Sequence, residues 1–191
     1  MNAFSHLTIA NIICDNLQNE RIKNINRPKF MLGNILPDIA IKLSNLSHKI
    51  DYVLGFVKKL MEDLVLKSQS PTFKKKSQSQ VLGIICHFIA DFFCYPHNKN
   101  YPFGIVKHLY YEQKISKYIK YYKDLTHLPI IKGRISINSV EDIINEIKRV
   151  HKEYMVLPPS MAKDAYYSIG MCTFVATNLN KLIANSAQVA A

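Results

Sequence analysis

Two pairs of a histidine and a carboxylate stand at helical spacing near the middle of the chain. His87 precedes Asp91 by four residues, and His108 precedes Glu112 by the same interval. Residues four apart lie on one face of an α-helix, so each pair presents an imidazole and a carboxylate together. Such a pair is either a hydrogen-bonded surface pair or part of a metal site, and nitrogen with oxygen ligands suits zinc.

The surroundings of the first pair favour a metal site. His87 and Asp91 interrupt the most apolar stretch of the chain, which runs from Val81 to Tyr95. An unpaired charge buried in such a stretch costs several kcal/mol, so the pair needs a strong partner, and a metal cation is one. Further histidines and one acid lie before and between the two pairs, at His6, Asp38, His48 and His97.

The order of these residues resembles the zinc-dependent phospholipase C family. That family includes secreted bacterial enzymes that hydrolyse phosphatidylcholine, and its fold is similar to that of the single-strand-specific zinc nucleases. The resemblance rests on His-x3-Asp-x5-His followed by His-x3-Glu and covers about residues 4–112. It implies a cluster of two or three zinc ions whose ligands would be His6, Asp38, His48, His87, Asp91, His97, His108 and Glu112.

The resemblance also implies how the ligands divide. One zinc site would be formed by Asp38, His48, His87 and Asp91. A second would be formed by His97, His108 and Glu112, and a third by His6 with Asp91 as a bridging carboxylate. In the family the third metal is also held by the amine and carbonyl of an N-terminal tryptophan. This chain contains no tryptophan, so either Met1 takes that place or the third metal is weakly held or absent.

The activity implied by the resemblance is hydrolysis of a phosphodiester, with a phospholipid as the substrate. Zinc lowers the pKa of a bound water towards ~7 and neutralises charge on the phosphoryl oxygens. Asp38 is the expected catalytic residue, which accepts the proton of the water or orients it. The alternatives are a nuclease or small-molecule phosphodiesterase, and a family member that binds metal or lipid without turnover.

One position next to the expected site departs from the choline-specific enzymes. In those enzymes an aromatic residue follows the loop aspartate and helps to hold the choline by a cation–π contact. Here Ile39 follows Asp38. We therefore do not expect choline specificity.

The elements that would position these residues are helices. Hydrophobic periodicity predicts helices over about 6–19, 49–67, 78–94, 104–123, 140–154 and 160–185. Ser5 is the expected cap of the first helix and Ser139 opens a capping box with Asp142. Residues 33–38, which contain a glycine and a proline, read as a turn, and 130–137 is the one candidate strand. The predicted fold class is all-α, a multi-helix bundle with the metal cluster between helices.

Length and composition set the outer limits. A chain of 191 residues predicts one domain over 1–191, without the C-terminal lipid-binding β-domain of toxin members. No stretch reaches the ~18 apolar residues of a membrane span, and no basic leader is visible, so the expected location is cytoplasmic. The four cysteines read as buried free thiols.

The net charge of +11 suggests an anionic partner. A phospholipid substrate with peripheral contact to a membrane surface is the expected partner, and nucleic acid is the less favoured one. Lys74, Lys75 and Lys76 form the one local cluster of lysines, in a polar connector. His127 and His151 are not expected to bind metal, and the sequence does not predict an oligomeric state.

Overall fold

Helices make up all the regular structure that the computed structural model describes, over residues 1–22, 25–70, 75–121 and 136–189. The predicted all-α class is therefore confirmed. Lys74, His127 and most of the candidate strand lie outside these ranges. The α-helices are α1 (Ala3–Asn19), α2 (Arg27–Ile39), α3 (Ile41–Ser44), α4 (Ile50–Ser68), α5 (Lys75–Phe92), α6 (Ile105–Tyr121), α7 (Val140–Val156) and α8 (Met161–Val189), with a 3-10 turn over Tyr95–His97.

The turn predicted over 33–38 is wrong, because these residues belong to α2. The Asn26 side chain caps this helix by accepting a hydrogen bond of 3.1 Å from the Lys29 N–H. Pro28 lies in the first turn, where a missing N–H costs nothing. Pro37 lies two residues before the last helical residue, so it interrupts only the end of the hydrogen-bond ladder. Glycine and proline at these positions are thus compatible with a helix.

Helix α5 lies at the centre of the bundle and packs against α1, α2, α4 and α8. Its last two turns are fully buried, as the apolar run there predicted. Ser168 on α8 ties the end of α5 in place by donating a hydrogen bond of 3.1 Å to the Ala90 carbonyl. The residues after Phe92 form the 3-10 turn, which agrees with the irregular segment expected around Pro96.

Two glycines let α2 and α5 approach each other closely. A Cβ atom on Gly33 would overlap the backbone carbonyl of Gln80, and one on Gly83 would overlap the carbonyl of Phe30. The absent side chains allow the two backbones to touch. This contact fixes the distance between the end of α2 and the middle of α5, which both carry residues of the site described below.

The two predicted helix caps had different outcomes. The cap of α1 is Asn2, not Ser5, whose own N–H donates to the Asn2 side chain at 3.0 Å. The helix therefore starts earlier than the apolar pattern indicated. The capping box of α7 is confirmed, since Ser139 and Asp142 exchange hydrogen bonds with each other's backbone N–H groups.

The described helices and cysteines agree with two of the compositional expectations. No helix in the described ranges is long and apolar enough to cross a membrane. All four cysteines are buried and free.

Replacing Gly33 by alanine should destabilise the fold, because the new methyl group meets backbone atoms that cannot move aside. Overpacking of this kind costs ~1–3 kcal/mol, which for a chain of this size lowers the melting temperature by roughly 2–12 °C. Gly55→Ala is the matched control, since nothing lies within 4 Å of that position. It should raise the melting temperature slightly through helix propensity. Equal melting temperatures for the two variants would contradict the close contact.

Candidate metal centre

The eight residues predicted to bind metal all converge on one centre, although they come from six segments of the chain. They lie in α1, at the end of α2, before α4, in α5, in the 3-10 turn and in α6. Four overlapping groups have ligand atoms within 4.8 Å of one another: His6, His87 and Asp91; Asp38, His48 and His87; His48, Asp91 and His97; and His97, His108 and Glu112.

Asp91 belongs to two of these groups, and its carboxylate is completely buried. Oδ2 accepts a hydrogen bond of 2.6 Å from His48 Nδ1 and lies 3.5 Å from His87 Nε2. Oδ1 lies 3.4 Å from His6 Nε2 and 3.6 Å from His97 Nε2. Each oxygen therefore faces a different pair of imidazoles, as expected for a carboxylate that bridges two sites.

The charges around Asp91 keep it ionised. Burial alone would raise the pKa of its carboxyl group, but His97, the amino group of Met1 and His6 together hold that pKa well below its usual range. A buried carboxylate surrounded by cations and donors is a strong ligand for a divalent ion.

The amino group of Met1 lies in the centre as well. It donates to Asp91 Oδ1, and it lies 2.8 Å from His97 Nε2 and 3.3 Å from Glu112 Oε1. Burial would lower its pKa, but Asp91 and Glu112 raise it to about 11. The amine thus lies between Asp91 and Glu112, carboxylates that the resemblance assigns to different zinc sites.

His87 is oriented from behind by the backbone of α2. Its Nδ1 lies 2.7 Å from the Asn34 carbonyl oxygen, which can only accept, so Nδ1 carries the proton and donates it. The Nε2 lone pair then points towards Asp38 Oδ1 at 3.6 Å and His48 Nδ1 at 3.4 Å. Burial lowers the pKa of His87 well below its usual value. A neutral imidazole fixed by its second nitrogen is the usual form of a histidine ligand.

The second predicted site is built around Glu112. Its Oε1 lies 3.1 Å from His97 Nε2 and 2.9 Å from His108 Nε2. Burial opposes its ionisation, yet His97 and the Met1 amine lower its pKa to about 2. Burial lowers the pKa of His97 to about 4, which leaves that ring neutral near pH 7. The carboxylate of Glu112, the neutral imidazole of His97 and the ring of His108 can therefore offer three ligands.

His6 provides the clearest indication that a cation belongs in this centre. Its ring is fully buried and stacks on His87, with 3.8 Å between the ring centroids. Within the described part of the chain neither ring nitrogen has a hydrogen-bond partner. Buried polar atoms in native proteins are nearly always paired, so an unpaired ring beside a carboxylate fits a missing ligand. Nitrogen and oxygen donors in this number suit zinc.

Access to the centre is uneven. Asp38 and His108 keep about a quarter of their side-chain surface exposed, at 24% and 23%, whereas Asp91 and His87 have none. Solvent therefore reaches the centre at Asp38 and His108. Among the three carboxylates, Asp38 is the most accessible.

Asp164 is a buried acid that the sequence analysis did not single out. It accepts hydrogen bonds of 2.8 Å from the Tyr95 N–H, 2.9 Å from the Tyr111 hydroxyl and 2.8 Å from the Tyr154 hydroxyl. It thereby joins α8 and α7 to the 3-10 turn that carries His97 and to the turn of α6 that carries Glu112. An acid in the first turn of α8, together with tyrosines beside the histidine motif, was the signal in the sequence.

His151 lies outside these four groups of candidate ligands. Its Nε2 lies 2.8 Å from the Asn98 side-chain oxygen, and its ring packs on Phe93. That His151 does not bind metal stays a prediction.

Comparison with known proteins gives one match. A family model described as zinc dependent phospholipase C matches residues 5–160, which is most of the chain. No curated protein and no solved structure matches.

Asp164 should make unfolding depend on pH in a way that an asparagine cannot. Burial raises the pKa of its carboxyl group to about 6, although the Tyr95 N–H and two tyrosine hydroxyls oppose this. The folded protein therefore holds this proton more tightly than the unfolded chain does. The resulting stabilisation is complete below pH ~4 and is lost as the pH rises through about 6.

We expect the difference in unfolding free energy between wild type and Asp164→Asn to fall by on the order of 2 kcal/mol between pH 4 and pH 7, measured by urea unfolding. Asp63→Asn, at an exposed acid of α4, should keep the wild-type profile. A constant difference for Asp164→Asn would contradict the raised pKa.

Proposed function

Because this chain belongs to the zinc-dependent phospholipase C family, we propose that it hydrolyses a phosphodiester and that its substrate is a phospholipid, with diacylglycerol and a phosphorylated head group as products. The observation that carries the proposal is the convergence of five imidazoles and three carboxylates on one centre, where the buried ring of His6 has no described hydrogen-bond partner. Two or three zinc ions held by the eight predicted residues would satisfy these groups. The amino group of Met1 would complete the third site.

The residues of the centre divide the work of hydrolysis. Zinc bound there would make a water molecule nucleophilic near neutral pH and neutralise charge on the phosphoryl oxygens. Asp91, buried between imidazoles, would hold the sites at a fixed separation. Asp38 is the accessible carboxylate, and burial raises the pKa of its carboxyl group above the usual value while His6 opposes this rise. As the most accessible of the three carboxylates, Asp38 would accept the proton of the attacking water.

Exposed apolar side chains favour a lipid over a nucleotide. Many of the exposed large hydrophobic residues lie within three residues of a predicted ligand in sequence: Phe4, Ile39, Ile41, Ile105, Val106, Leu109 and Tyr110. Their exposed fractions reach 81% at Ile41. Apolar surface concentrated at such a position is typical of a site that contacts a membrane or another apolar partner. We therefore propose that these exposed side chains make peripheral contact with a phospholipid surface. The net charge of +11 would strengthen this contact.

The remaining expectations from the sequence stay predictions. They are a single domain over 1–191 and a cytoplasmic location.

The protein purified without added metal should contain two or three zinc ions per chain and hydrolyse short-chain phospholipids, as measured by elemental analysis and phosphate release. His87→Ala should lose most of the zinc and the turnover, because it removes a ligand and leaves Asp38, His48 and Asp91 without their shared imidazole. His151→Ala is the matched control, a half-buried histidine outside the centre, and should keep the metal. A zinc content near zero that added zinc cannot restore would contradict the proposed zinc-dependent activity.

Asp38→Asn should lower kcat by at least about 100-fold, since an amide cannot accept the proton, while zinc at the site of His97, His108 and Glu112 is retained. Zinc content and kcat measured on the same preparation separate the two effects. Loss of zinc from every site in proportion to activity would show that Asp38 acts only as a ligand.

Ile39→Ser combined with Val106→Ser should weaken binding to mixed phosphatidylcholine and phosphatidylglycerol vesicles by at least about ten-fold in a sedimentation assay. Each exposed aliphatic side chain contributes ~1.5–3 kcal/mol when it is buried. The control pairs Leu66→Ser with Tyr121→Ser, which are similarly exposed and far in sequence from any predicted ligand. Equal affinity of the two double variants for the vesicles would exclude Ile39 and Val106 as membrane contacts.

A further inference from the structure

A cavity of about 620 Å³ adjoins the metal centre, with walls formed by the start of α4, the chain after the 3-10 turn and the last turns of α7. We infer that this cavity receives the head group of the substrate, and that this head group carries negative charge in addition to the phosphodiester. The inference rests on the proposed function, which it deepens by naming the class of phospholipid.

The position of the cavity follows from His97. His97 is one of the residues that line the cavity, and its Nε2 lies 3.1 Å from Glu112 Oε1 inside the centre. Lys49, which also lines the cavity, directly follows His48. A phosphodiester held at the centre would therefore have the cavity next to it. The volume lies within the range of ~300–1,000 Å³ that small-molecule sites occupy.

The charge of the cavity is strongly positive. Lys49, Lys99, Lys148 and Lys152 line it, and Asp51 is the single acid among its described lining residues. Lys148 and Lys152 are four residues apart on α7, so they lie on one face of that helix. Within the described residues none of the four lysines has a carboxylate at ion-pairing distance. Their charges are therefore available to a ligand.

Apolar side chains complete the walls, among them Ile50, Leu54 and Met155. Apolar walls lower the local dielectric constant and so strengthen the attraction between the lysines and an anion. The same field repels a quaternary ammonium such as choline. A carboxylate or a second phosphate on the head group matches the cavity, and point-like ammonium groups accept either.

The test uses ligands that differ by one anionic group. Phosphoserine differs from phosphoethanolamine only by a carboxylate, and inositol 1,4-bisphosphate differs from inositol 1-phosphate only by a phosphate. Affinities for the zinc-loaded protein are measured by titration calorimetry. We expect the more anionic member of at least one pair to bind at least about ten-fold more tightly, because the phosphate common to both members cancels in the ratio.

Lys148→Gln with Lys152→Gln should reduce that ratio to about three or less. The control double variant Lys59→Gln with Lys181→Gln removes the same charge from exposed lysines outside the cavity and should keep the wild-type ratio. Ratios near one for wild type in both pairs, a ratio unchanged in the cavity variant, or absence of binding by every ligand would each overturn the inference.

Turnover of monomeric dihexanoyl phosphatidylserine and phosphatidylethanolamine distinguishes this inference from the proposed function. Monomeric lipids remove any contribution of membrane charge. A selective cavity in a protein that hydrolyses neither lipid would support the cavity and refute the proposed phospholipase activity. Hydrolysis of both lipids with equal kcat/KM, together with equal affinities for the head groups, would support the activity and overturn the anionic head group.

Discussion

The structure depends on one buried carboxylate that has to be compensated. Asp91 lies inside the most apolar helix of the bundle, where ionisation is costly unless cations and donors surround it. The compensation comes from four imidazoles and an amino group brought there by α1, the segment before α4, α5 and the 3-10 turn. The arrangement of the helices is therefore inseparable from the chemistry of the centre, since moving any of these elements would remove one of the partners of the buried charge.

The cluster can be read from the sequence because its members obey helical geometry and sit in an apolar context. The i, i+4 spacing placed His87 beside Asp91 and His108 beside Glu112, and the structure brings all eight predicted residues together. The all-α class followed from the same periodicity. The predicted helix boundaries differ from the structure at two kinds of position. One is where a polar residue precedes the apolar pattern, as at Asn2, and the other is where proline and glycine occur within a helix, as in α2.

The sequence alone does not predict which distant backbone and side-chain atoms come into contact. The carbonyl of Asn34 orients His87, but a backbone oxygen has no residue type that would mark it. Asp164 reaches the site only through Tyr95 and Tyr111, and its role depends on how α8 packs. The lysines around the cavity looked like ordinary helix-surface charges until α4, α7 and the chain after the 3-10 turn were seen to converge. Each of these features is a product of tertiary packing.

The separation in sequence between partners of the centre has a consequence for how the protein is made. His6 and Asp91 meet although 84 residues lie between them, and α1 leaves the ribosome long before α5 and α6 exist. During synthesis His6 on α1 therefore lacks its partners His87 and Asp91 until α5 has been made. Closing so long a loop is entropically unfavourable, and contacts of this range slow folding. Assembly of the centre is thus a late event, and a growing chain carries isolated imidazoles and carboxylates before it carries a site that can select a metal.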